Sequence, residues 1–185
     1  MTAPDPARKL RRDAEQNRRR VLDAADAVFA ERGLDAGVED VARAAGVGVG
    51  TLYRRFPTKE ALVGELVREV LTAVVGAAEA AREAPDGGGL EQFIRVAAAA
   101  QASHRGCLGR LWAEPGAAEL RARCRVVVEQ LVRDAREAGR IRQDATAADV
   151  DLLFWSLRGV LEATRVVRPD AWTRHVELML AGLRP

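Results

Sequence analysis

The sequence predicts an all-α protein of about nine helices, and three observations carry that prediction. Ala, Leu, Arg and Glu dominate a chain of 185 residues that is 48% apolar and holds only 7 prolines, a composition of good helix formers. No run of alternating β-branched residues reaches strand length. Apolar residues instead recur at spacings of three and four between glycine and proline breakers, which is the period of a helix with one buried face. A chain of this length can bury a full core, as one body or as a small head with a larger domain.

The elements follow in order. The leading segment ARKLRRDAEQNRRR makes the first twenty residues strongly basic, with seven Lys or Arg against three acids. It suits a basic arm that touches phosphates or the minor groove, and equally a solvated extension of the first helix. No apolar stretch follows these charges as a signal peptide needs, and no stretch reaches the roughly 18 apolar residues of a membrane span, so a cytoplasmic protein without a membrane partner is expected.

The most informative stretch is Val38 to Leu62, VEDVARAAGVGVGTLYRRFPTKEAL. Val38, Val41, Ala42 and Ala45 share one face of a short helix that Gly46 ends. Val49, Leu52 and Phe56 share a face of a second, and Pro57 stops it. Gly46-Val47-Gly48 permits the turn between crossed helices, with Val47 plugging the angle. This is helix-turn-helix grammar. The outward face of the second helix carries Thr51, Tyr53, Arg54 and Arg55, with Lys59 just beyond, and from Val41 to Lys59 four basic residues face no acid. Such a face can offer Arg to guanine or phosphate, Thr to bases and Tyr to phosphate. Two ordinary bundle helices with a basic solvated side would look the same. Of the 29 basic and 27 acidic residues, twelve and ten lie in residues 1–60, leaving seventeen of each beyond, so the net +2 belongs wholly to the N-terminal end.

Beyond the turn, Thr58 can cap a long helix toward Ala84 with Leu62, Leu66 and Val70 on one face, before the loop Pro85-Asp86-Gly87-Gly88-Gly89. A helix from about Leu90 to Ser103 precedes an irregular stretch from Cys107 to Trp112, broken by Pro115-Gly116. Leu120, Cys124, Val127, Val128 and Leu131 then mark a helix that ends at Ala138-Gly139. Two more helices follow, from about Thr146 to Val167 and from about Asp170 to Leu183. The first bears the stripe Val150, Leu153, Phe154, Leu157, Val160, Leu161 and Thr164; the second bears Trp172, Val176, Met179 and Leu183. In a monomer both stripes could simply pack on the core.

The run AGVGVGTLYRRFPTKEALV, preceded by NRRRVLDAADAVFAERG, resembles the N-terminal DNA-binding domain of the TetR/AcrR family of one-component bacterial repressors. The likeness is close from Asn17 to Val67 and architectural beyond. It implies a basic arm over residues 1–16, a helix-turn-helix head over 17–62, and a helical effector-binding and dimerisation domain over 63–185. Gly48, Val49, Gly50, Thr51, Arg54 and Arg55 would then meet bases or flanking phosphates, and Tyr53 and Lys59 would anchor phosphates. The sequence departs from the common family pattern at Gly37-Val38 and Gly48-Val49, where hydroxyl or cationic contacts often stand. The resemblance also implies a homodimer through the last two helices, at Leu153, Phe154, Leu157, Leu161, Trp172, Val176, Met179 and Leu183, on a pseudo-palindromic double-stranded operator.

A repressor of this kind is released by a small-molecule effector of unknown identity. Candidate apolar lining is Phe93, Val96, Leu108, Leu111, Trp112, Val127, Leu131 and Trp155, with His104, Glu114, Arg121 and Arg158 as polar contacts. The alternative is a helical small-molecule-binding protein with a vestigial head. No catalytic residue, cofactor or metal is expected: the two histidines, His104 and His175, stand in no ligand pattern, and the glycine clusters do not follow strands. Cys107 and Cys124 show no CxxC spacing and suit buried thiols, with a redox pair as the minor alternative.

Overall fold

The computed structural model describes residues 6–111, 113–164, 168 and 170–185, and omits the side chains of residues 6–11, 13 and 108. Among the described residues the chain is helical throughout, without strands. Nine α-helices run in the order α1 (Pro6–Arg32), α2 (Val38–Ala45), α3 (Val49–Arg55), α4 (Lys59–Ala81), α5 (Gly89–Ser103), α6 (Leu108–Leu111), α7 (Ala118–Glu137), α8 (Ala147–Thr164) and α9 (Ala171–Leu183). Short 3-10 turns at Pro85–Gly87, Arg105–Cys107 and Pro115–Ala117 connect them.

The head is built by α1 to α3. Val21, Leu22, Ala25, Val28 and Phe29 fall one and two turns apart on α1, and all are buried against Val38, Val41 and Ala42 of α2 and Leu52 of α3. The basic leading segment is part of this helix, since the backbone is already helical from Pro6. Gly46 ends α2 at φ 65, ψ 35, and the Val47 N–H reaches back to Ala42 O at 3.0 Å, a left-handed cap that an L side chain at this position would strain. Gly48, by contrast, is extended at φ −67 and caps α3 without a side chain. Pro57 follows the last residue of that turn. Thr58 Oγ1 accepts the Ala61 N–H at 3.0 Å and starts α4.

The long α4 joins head to body. It packs on α1 of the head and on α5 and α7 of the body. Arg18 of α1 donates from Nη2 to Glu65 Oε1 at 2.6 Å, and this hydrogen bond holds the Glu65 carboxyl below its usual pKa. A second joint lies at the turn after α5. Gly106 passes so close to α1 that a Cβ there would sit 2.2 Å from the Phe29 carbonyl carbon, so only glycine fits. Beside it His104 Nδ1 lies 2.9 Å from Asp26 Oδ2. Contact with that carboxylate raises the imidazole pKa, against a smaller desolvation effect.

The last two helices bury much of the predicted dimer stripe inside the protomer. Leu153, Leu157, Leu161, Phe154 and Val176 are buried within the protomer, and Trp172, Met179 and Leu183 are packed against the same core. They are the inner faces of α8 and α9, which pack on each other and on α5. Their outer faces show Leu152, Trp155 and Leu178, each more than half exposed. A period of 3.6 finds a buried stripe but does not say whether a protomer or its partner buries it.

Candidate nucleic-acid interface and internal cavity

Seven residues make α3, and the packing of two side chains orients it. Leu52 is 1% exposed and Phe56, just past its end, 4% exposed. With that side anchored, Gly48, Val49, Gly50, Thr51, Tyr53, Arg54 and Arg55 all face outward. Arg54 Nη2 donates to Thr51 Oγ1 at 3.1 Å, one turn apart, which holds the guanidinium along the exposed face. The Arg55 guanidinium lies 5.8 Å from the Phe56 ring centre. Neither has a carboxylate at ion-pair distance among the described residues. On α2, by contrast, Arg43 pairs with Asp40 at 2.9 Å and Arg32 of α1 reaches the same carboxylate at 3.3 Å. Within the helix-turn-helix pair, the arginines without an ion-pair partner therefore lie on α3 and not on α2.

Lys59 sits differently from a free phosphate anchor. Its ammonium donates to the Leu34 carbonyl and lies 5.9 Å from the Phe29 ring centre, tying the start of α4 to the turn after α1. An ammonium has three donors, so two remain for an outside acceptor. Gly50 stands open, with nothing within 4 Å of where its Cβ would be.

The body holds a cavity of about 420 Å³ between α4, α5, α7 and α8. Val70, Leu71 and Val74 of α4, Phe93 and Ala97 of α5, Leu111, Val128 of α7, and Val150 and Phe154 of α8 form its apolar wall. Phe93 meets Phe154 edge to face, with ring centres 6.0 Å apart. Gln101, Arg121, Cys124, Arg125 and Asp151 add polar groups.

Several residues expected to line such a site lie elsewhere. Val96 is 46% exposed and Trp155 57% exposed, both on the outer surface. His104 turns to Asp26 of α1. Val127 is buried without lining the cavity, and Leu131 faces a smaller recess beside Gly87 and Leu90. Arg158 lies in a cleft between α1 and α8 with Arg105. The Glu114 side chain rests against Gly64 of α4. Trp112 and the side chain of Leu108 lie outside the described residues. Gln101 escaped the sequence reading, although its spacing from Phe93 and Ala97, i, i+4 and i+8, was the available signal.

The two thiols are neutral at ordinary pH. Burial pushes Cys107 up to about 12 and Cys124 up to about 11. No cluster of metal-ligating side chains occurs among the described residues, and no described helix is long and apolar enough to cross a membrane.

Residues 21–66 match the family model of bacterial regulatory proteins of the tetR family, and residues 85–185 match that of the SbtR-like transcriptional regulator C-terminal domain. The second match alone covers more than half of the chain. The chain belongs to the TetR family. Among its relatives, the HTH-type transcriptional repressor KstR2 of Rhodococcus jostii is 47% identical over 60 residues, a stretch that spans 32% of this chain and only 29% of that protein. A TetR transcriptional regulator from Streptomyces coelicolor superposes with a TM-score of 0.65 at 32% identity, covering 91% of this TetR-family chain and 98% of the other. The TetR-like regulator LfrR of Mycobacterium smegmatis, solved in complex with proflavine, gives 0.65 at 26% identity over 92% and 95%.

Proposed function

We propose that this TetR-family chain is a cytoplasmic homodimeric repressor that holds a pseudo-palindromic operator through α3 and is released by a small molecule entering the body cavity. The observation that carries this reading is the α3 face: Thr51, Tyr53, Arg54 and Arg55 exposed and free of acids, on a helix fixed from behind by Leu52 and Phe56. In this reading Val49 and Thr51 lie near bases, Arg54 and Arg55 reach bases or phosphates, and Gly48 and Gly50 let the backbone come close. Tyr53 and the two remaining Lys59 donors hold phosphates.

The outer faces of α8 and α9, with Leu152, Trp155 and Leu178, serve as the dimer surface in place of the buried stripe. Two heads then engage half-sites about 34 Å apart or a multiple of it. The cavity volume lies within the roughly 300–1,000 Å³ of small-molecule sites, and the solved complex of LfrR with proflavine supports a ligand-bound state. Val70, Leu71 and Val74 belong to the helix that also carries Glu65, the partner of Arg18 in the head. An effector that prefers one tilt of α4 shifts the population of head spacings and lowers operator affinity.

Fluorescence anisotropy with the DNA upstream of the chain's own gene tests this, at about 50 and 200 mM salt. Affinity should fall by orders of magnitude across that range and protect an inverted repeat. Absence of salt-sensitive binding would favour a small-molecule-binding protein with a vestigial head, which the bare glycine caps of α2 and α3 would suit.

A further inference from the structure

We propose that the cavity takes a largely apolar, uncharged molecule whose hydroxyl forms one hydrogen bond with the Gln101 amide; this rests on reading the cavity as the effector site. Gln101 follows Phe93 and Ala97 along the face of α5 that lines the cavity, and it is only 7% exposed. Its Oε1 is buried and has no hydrogen-bond partner. A buried amide with an unpaired polar atom is unfavourable, and a ligand hydroxyl that hydrogen-bonds the amide reduces that penalty on binding.

The charged groups of the wall are already engaged. Arg125 Nη2 pairs with Asp151 Oδ2 at 3.0 Å. Arg121 Nη1 donates to Glu114 O at 2.8 Å and Leu111 O at 3.3 Å, latching the segment between α6 and α7. Cys124 is a neutral thiol. A neutral ligand leaves these bonds in place and meets the apolar wall and the Gln101 amide. A site built around one such polar group discriminates against analogues that lack the matching hydroxyl.

A matched set of three probes tests the inference: cyclohexylbenzene, 4-cyclohexylphenol and 4-cyclohexylbenzoate, each displacing fluorescent N-phenyl-1-naphthylamine from the full-length protein. The phenol should bind about tenfold more tightly than the hydrocarbon, the yield of about one net hydrogen bond. Gln101→Met and Gln101→Leu should abolish that preference by weakening the phenol alone, and neither should lower the melting temperature of the free protein. Equal binding of phenol and hydrocarbon, a preference that survives both substitutions, or tightest binding by the benzoate overturns the proposal. Those results leave the cavity reading standing where Val74→Trp, which fills the space, blocks every probe. Displacement that is indifferent to Val74→Trp, or no displacement by any probe, overturns the cavity reading and the proposal with it.

Discussion

The head and the body are both helical and both built on buried Leu, Val and Phe, yet they present their candidate site residues in opposite directions. In the head, Leu52 and Phe56 are spent on packing so that Thr51, Tyr53, Arg54 and Arg55 can point outward. In the body, Val70, Phe93 and Phe154 serve at once as core and as cavity wall. An outward site betrays its partner by the charge it leaves unpaired, because a solvated arginine needs no local acid. An inward apolar site has no such mark, because the side chains that close a core and those that line a void are the same.

Substitutions on α3 can break that contrast, and the largest effect should come from its inner side. Leu52→Ala should destabilise by about 2–5 kcal/mol, as buried leucine truncations do, and lose DNA binding through unfolding; thermal and urea denaturation would show it. Arg54→Ala should do the reverse. It should leave the melting temperature nearly unchanged while costing about 1–3 kcal/mol of operator affinity, concentrated at one base position, as anisotropy with single-base operator variants would reveal. If Arg54→Ala unfolds the head, the outward face is structural and the contrast fails.

Gly50→Ala separates stability from recognition more finely. The position is helical and open, so alanine should stabilise the free protein by about 0.5–1 kcal/mol, yet its methyl should weaken operator binding if the backbone must approach DNA there. The two signs would be read from a melt and a titration on one sample.

The smallest effect concerns the joint between the regions. Asp26 raises the pKa of His104, so the folded protein holds that proton more tightly than the unfolded chain. Its contribution is complete below about pH 6.5, the ordinary histidine value, and is lost as pH rises through the raised folded value. Glu69 adds to the same shift. Asp26→Asn should therefore lower the melting temperature more at about pH 6 than at about pH 9, and a pH-independent difference would mean that the contact works by packing alone.

Much of the fold was legible because local rules decide it. Gly46 and Pro57 bracket α3, Thr58 caps α4, and Ala138-Gly139 closes α7, each through backbone or capping chemistry within a few residues. The candidate reading face was legible for the same reason. Lys59 was only half legible: its type suggested a phosphate, but its bond to Leu34, twenty-five residues away, depends on how two helices cross.

By itself, then, the sequence determined the helices, their ends, and the side of α3 that carries charge, since periodicity, caps and residue type are local. Only the tertiary structure decided which buried stripes of α8 and α9 belong to the protomer's own core, that His104 faces the head, and that Gln101 stands unpaired in a cavity. Those outcomes depend on which face meets which across long stretches of chain, and an amphipathic pattern is blind to the identity of the neighbour that buries it.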